Sequence, residues 1–350
     1  MNKADSPKVK RESKNKIRVD FERTPLLDRL RARFLNAYTF KKVLWYLFRF
    51  LLLLGVSYII LFPFFSKIAA SFMSVSDFSD VTVLLIPKHP TLSTYKAIIT
   101  ENGYFSAMAN TFLLSFVCAV LQTFVCCMIG YGFAKFKFKG SKILFFIVIF
   151  TMVVPHPTLK LSLFMKFRYF DVGLPGFGIM KFLGTIGLTS NTSLNLLNTN
   201  WPLWLLSATG LAYKNGLFIF LMRQFFKGIP DELEESAYLD GSGVFRTFLS
   251  IIIPLSVTMM ITVFMFAFCW QWTDTFYSSL FYTTSKNHLL PTIIKTPASL
   301  TEATSQANGG LYSSAITNTC GLLIIFPLVI LYLFGQKYIV QGIERSGITG

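Results

Sequence analysis

The chain is poor in the residues that do covalent chemistry. Its three histidines, His89, His156 and His288, are scattered, and its five cysteines, Cys118, Cys126, Cys127, Cys269 and Cys320, all fall in apolar stretches without metal-ligand spacing. That spacing argues against a metal site, and an odd number of cysteines in apolar stretches argues against a disulfide framework, which leaves them as small packing residues. There is no Gly-Lys-Ser/Thr phosphate loop and no Gly-x-Ser-x-Gly elbow, so neither nucleotide hydrolysis nor serine-type acyl transfer has a seat here. No catalytic residue is predicted, and the chain is not expected to be an enzyme. Acid is scarce as well, with 17 Asp and Glu against 33 Lys and Arg. No carboxylate lies firmly inside an apolar run and no internal repeat is visible, which argues against a self-sufficient channel or secondary transporter. No signal-peptide core sits near the start, so the first apolar run is expected to persist as an uncleaved anchor.

What the chain has in excess is apolar surface. Of its 350 residues 53% are hydrophobic and 38 are Phe, too many for a soluble domain of this size to hide. Six runs reach the roughly 20 residues needed to cross a hydrocarbon core: about 43–66, 108–134, 143–165, 203–226, 248–271 and 311–334. The expected fold is therefore an all-α integral membrane protein of six transmembrane helices, and an even count puts both termini on one side. The cations say which side. About thirteen Lys and Arg fall in the polar arm 1–42, four more in the eight residues Lys135–Lys142, and others in the loop 227–247 and the tail, while the opposite loops are longer and poorer in cations. Both termini and these two loops are thus expected to be cytoplasmic. The net charge of +16 is explained by cations that flank spans beside anionic lipid, so nucleic acid is not expected as a partner.

Between the fourth and fifth runs lies an acidic island, Pro230-Asp-Glu-Leu-Glu-Glu-Ser-Ala-Tyr-Leu-Asp-Gly241. Pro230 suits a first helical position, Asp231, Glu232, Glu234 and Glu235 complement the positive helix end, and Gly241 supplies a left-handed stop. A short self-capped helix is expected, with Ser236 and Ala237 letting another surface approach closely.

The order Glu235-Ser236-Ala237, Gly241, Ile251, Ile253, Pro254 resembles the cytoplasmic loop of binding-protein-dependent ABC transporter permeases, with Ser236 standing for Ala and Ile253 for Leu. The resemblance extends from about residue 90 and is nearest the maltose-type carbohydrate permeases. It is carried by Asn110-Thr111, Tyr131-Gly-Phe-Ala-Lys-Phe-Lys-Phe-Lys-Gly140, Phe220-Leu-Met-Arg-Gln-Phe-Phe226 with Ile229-Pro230, Trp272-Thr-Asp274, and Gln336–Gly342. The finish Gly347-Ile-Thr-Gly350 matches the family's ending except at Thr349, so the carboxyl terminus is expected to be complete.

This resemblance implies that residues 43–350 form half of a pore. The partners it implies are a second homologous permease, two ATPase subunits carrying ATP and Mg, an extracytoplasmic solute-binding protein, a carbohydrate substrate and membrane lipid, with no cofactor bound by this chain. Glu234, Glu235, Ser236, Ala237, Asp240 and Gly241 are then the residues that couple to the ATPase. The external loops 166–200 and 273–310 are longer than the family's usual, either to tune partner choice or as tolerated insertions. Because the loop motif is shared across solutes, a peptide, polyamine or phosphorylated compound remains an alternative cargo.

Polar residues inside the spans mark the candidate substrate pathway. Lys214 and Asn215 sit mid-way along the fourth run, about 13 Å of helix before Arg223. Lys214 is expected to face the pore or the partner permease, the alternative being that Gly210 and Gly216 break the helix and the lysine snorkels. His156 lies between two prolines that bend or end the third run. Trp270 and Gln271 suit a sugar ring and its hydroxyls, Trp272 suits an interfacial aromatic belt, and Gln122 serves helix pairing or pore lining.

Overall fold

The protein is described here by a computed structural model covering residues 37–171, 173–174, 177–178, 193–284, 289–306 and 310–345. Most of the basic arm, His288 and residues 346–350 lie outside the described residues. Two compact units divide the chain at Phe65/Ser66. Helix α1 (Ala37–Ser71) is apolar along its length, carries Pro63, and supplies the described part of the first unit.

The second unit contains every other element. In order these are α2 (Val75–Ser79), α3 (Ser93–Glu101), α4 (Tyr104–Lys135), α5 (Ser141–Val153), α6 (Lys160–Arg168), a hairpin of β1 (Gly173–Leu174) and β2 (Phe177–Gly178), and α7 (Trp201–Ala208). There follow α8 (Asn215–Lys227), α9 (Glu232–Leu239), α10 (Val244–Thr247), α11 (Ile253–Trp272), α12 (Phe276–Phe281), α13 (Thr301–Gln306) and α14 (Gly310–Arg345).

Among the described residues, four helices are long and apolar enough to span a membrane: Phe40–Ser71, Tyr104–Lys135, Val244–Trp272 and Gly310–Gly342. They contain the predicted runs 43–66, 108–134, 248–271 and 311–334. The other two runs are not the continuous helices the sequence suggested. Run 143–165 bends by 97° between Val153 and His156. Pro155 forces Val154 into an extended conformation (φ −66°, ψ 121°) and offers no N–H to continue the helix. Run 203–226 is interrupted between Ala208 and Asn215, where Gly210 (φ 75°) and Lys214 (φ 69°) both adopt left-handed backbone. The turn lies tight on α4, since a Cβ on Gly210 would come 3.1 Å from Ile129 Cδ1.

Helix α4 is the axis of the unit, packed by α7, α8 and α11. Small residues set the spacings, as they must where lipid gives helices no hydrophobic reason to associate. A Cβ on Gly130 would stand 2.6 Å from Met222 Cβ, so α4 and α8 meet nearly backbone to backbone. Between α11 and α14, Gly335 accommodates Met265, Gly342 accommodates Thr262, and Thr262 Oγ1 donates to the Tyr338 carbonyl at 3.1 Å. Trp272 seals the same seam. It is buried and its Nε1 donates to the Ile324 carbonyl at 3.0 Å, which corrects its reading as an interfacial belt residue. Helix α11 is entered through a wider π-type turn over Phe248–Ile252, because Pro254 cannot donate to the carbonyl four residues back. Four of the five cysteines are buried and Cys269 is partly so.

Candidate functional site

Two polar assemblies stand out, one near each end of the α4, α8 and α11 bundle. At the first, α4 runs out at Lys135 and the chain between α8 and α10 folds across it. Lys135 Nζ donates to the Ile229 carbonyl at 2.7 Å, pairs with Asp231 Oδ1 at 2.5 Å and stands 3.4 Å from Glu234 Oε1. One turn earlier, the Tyr131 hydroxyl donates to Glu234 Oε2 at 2.9 Å, with its ring among Phe136, Phe226 and Phe248. Asp231 stands at the cap position of α9 but makes no side-chain cap bond; it is turned to the lysine, whose hydrogen bond and charge hold its carboxyl below the usual range. Pro230 accordingly lies one residue ahead of the cap.

Helix α9 ends as expected. Gly241 has φ 80°, its N–H donates to the Tyr238 carbonyl, and Ser242 N–H donates to the Ala237 carbonyl at 2.9 Å. These are the two bonds of a Schellman stop. The six loop residues singled out from sequence divide between two faces. Glu234 and Ala237, three apart on one face, are buried against the bundle; Glu235, Ser236, Asp240 and Gly241 are exposed beside Leu239 and Phe245. Ala237 is thus not an approach point for another surface. Tyr131 and Lys135 were missed as functional positions, although the closeness of a basic helix end to an acidic island was a usable signal.

At the second assembly a cavity of about 480 Å³ opens between the interrupted α7–α8 connection, the bend before α6 and the end of α11. Three of the six pathway candidates, His156, Lys214 and Trp270, line it. Lys214 Nζ lies over two rings, 4.6 Å from the Tyr213 centroid and 4.7 Å from that of Trp270. His156 Nδ1 is 2.9 Å from the Tyr277 hydroxyl, and its ring meets Tyr213 edge-on at 4.4 Å. Asp274 completes the wall with its oxygens turned to α12, accepting from Tyr277 N–H (3.2 Å), Ser278 N–H (2.8 Å) and Ser278 Oγ (3.2 Å). Burial pushes its carboxyl above the usual range against those hydrogen bonds.

The other three candidates stand apart from the cavity wall. Asn215 is buried with both amide atoms unpaired, Gln271 has a buried, unpaired Nε2, and Gln122 Nε2 donates to Ser207 Oγ at 3.3 Å, pairing α4 with α7. Tyr213, Asp274 and Tyr277 belong to the cavity and were not anticipated, because an interrupted helix is what brings them together.

The family of binding-protein-dependent transport system inner membrane components matches residues 126–345, well over half the chain. The chain belongs to this family. It is an ABC transporter permease, a multi-pass protein of the cytoplasmic membrane. The permease is 27% identical to the galactooligosaccharides transport system permease protein GanQ of Bacillus subtilis (strain 168), over 87% of this chain and 95% of that one. It is 28% identical to the maltodextrin transport system permease protein MalD of Streptococcus pneumoniae (strain ATCC BAA-255 / R6), over 90% and 99%. Its fold resembles a chain in the crystal structure of a bacterial ABC transporter involved in the import of the acidic polysaccharide alginate, with TM-score 0.62 at 19% identity over 85% of this permease and 97% of that chain.

Proposed function

We propose that the permease forms half of the pore of an ATP-driven importer, passing an oligosaccharide from an extracytoplasmic solute-binding protein to the cytoplasm. The carbohydrate assignment is supported by relatives named for galactooligosaccharide and maltodextrin transport and by a cavity walled with aromatic rings. Six crossings follow if the bent pair α5–α6 and the interrupted pair α7–α8 each count as one, with both termini, the arm 1–42 and the loop 227–247 in the cytoplasm. Residues 43–350 then constitute the transmembrane domain. ATP and Mg belong to two separate ATPase chains, and a second permease completes the pore.

The observation that carries this reading is α9 itself. A short helix, bound inward by Glu234 and stopped by Gly241, presents Glu235, Ser236 and Asp240 outward, so force applied to that face reaches α4 through Lys135 and Tyr131. Closure of the ATPases would displace α9, and the attached α8 and α11 would tilt with it. The test is copurification from mild detergent followed by reconstitution. An ATPase and a solute-binding protein should accompany the chain, and uptake should require ATP. Solute carried by this chain alone in liposomes, without nucleotide, would overturn the proposal.

A further inference from the structure

The cavity wall carries a cation, Lys214, with no carboxylate of the described residues within ion-pair distance. Among the described lining residues the one carboxylate is Asp274, which spends its oxygens on three donors of α12. The Lys214 ammonium lies over the Tyr213 and Trp270 rings while its backbone keeps a left-handed φ of 69° that a lysine rarely adopts. An ammonium over ring faces still has N–H bonds to donate, since a ring face is a weak acceptor. A long flexible cation poised over aromatic surface in a cavity of this volume matches a ring with one apolar face and an anionic substituent at its edge.

We infer that the cavity selects an anionic sugar: Lys214 binds a carboxylate or phosphate carried on the carbohydrate while Tyr213 and Trp270 stack on its ring. This rests on the carbohydrate-importer reading and names the class of sugar. Of the two anionic groups, the carboxylate of a uronate suits a single lysine, whereas a doubly charged phosphate would bring one charge more than that lysine balances.

The test is equilibrium binding to the assembled transporter in nanodiscs without its solute-binding protein, so that selectivity comes from the pore alone. The probes are trigalacturonate, the neutral galactotriose, and galactose 6-phosphate. Trigalacturonate should bind at least tenfold tighter than galactotriose, Lys214→Met should erase that difference, and Lys214→Arg should keep most of it. Thermal midpoints of the variants confirm folding. Tight, Lys214-dependent binding of galactose 6-phosphate would support the anion site and assign it to phosphate. Equal affinity for acidic and neutral trisaccharides, or a preference that survives Lys214→Met, overturns the inference. With the binding protein restored, ATP-driven uptake of galactotriose despite such indifference sinks the anion assignment alone. Absence of uptake for any oligosaccharide sinks the carbohydrate reading itself.

Discussion

The two ends of the α4, α8 and α11 bundle treat their lysines in opposite ways. The Lys135 side chain is buried and saturated by a carbonyl and two carboxylates of its own chain, whereas Lys214 lies over two aromatic rings and has no carboxylate partner among the described residues. A cation satisfied internally fixes geometry, and one left with donors to spare can meet a ligand. On the two proposals above, the same chemistry would make a joint at one end and a receptor at the other.

Removing the two charges gives the largest contrast. Lys135→Met strands the buried Glu234 carboxylate and is expected to cost about 3 kcal/mol, while Lys214→Met loses only ring contacts, about 1 kcal/mol. Thermal unfolding of both variants in one detergent measures this, and equal losses would erase the distinction between joint and receptor.

The scaffold shared by the two ends gives the next effect. Gly130→Ala drives a methyl into Met222 and the adjacent backbone and should destabilise by roughly 2 kcal/mol, whereas a Cβ on Gly132 meets nothing within 4 Å, so its alanine variant should instead gain about 0.5–1 kcal/mol from helix propensity. At the joint, Gly241→Ala has open space around the new methyl, so only the left-handed backbone opposes it, at about 1 kcal/mol. Gly241→Asn should recover part of that loss. If α9 transmits force, Gly241→Ala also lowers transport per ATP hydrolysed, a ratio that coupled assays read directly.

The smallest effect concerns acid. Asp231 is held below the usual carboxylate range by Lys135, so its contribution is complete above that range and fades only as pH falls through the lowered value. Asp274 is pushed up by burial, so it binds its proton above the ordinary range, and acidification there adds to stability at the cavity end. Difference infrared spectra of Asp231→Asn and Asp274→Asn should show the two carboxylates titrating on opposite sides of that range, with Asp274 the higher.

Much of this arrangement was legible in the chain. The long runs 108–134 and 248–271 became α4 and α11 because continuous apolar sequence of that length has only one way to satisfy its backbone in lipid. Gly241 announced the end of α9 because few other residues tolerate its φ. The interruption at 209–214 was not legible as such: Gly210 hinted at it, but nothing local marks Lys214 as left-handed, and the conformation depends on packing against α4 and α11. Without that interruption Tyr213 and Tyr277 could not be placed on one wall. The inward turn of Glu234 was hidden for a similar reason, since an acidic residue on a loop reads as solvated until a buried lysine and tyrosine are found beneath it. Trp272 shows the converse, an indole whose N–H found a carbonyl inside the protein and so had no use for the interface.

The wide turn over Phe248–Ile252 sets a phase. One residue beyond the normal count rotates everything downstream by about 100° relative to an unbroken α-helix, so the side of α10 beside the acidic helix and the side of α11 against α4 are not the same stripe of one cylinder. If a twist is applied at Gly243, as the proposed coupling requires, it would reach α11 as a change of azimuth, and the offset would decide which of its side chains sweep past their neighbours.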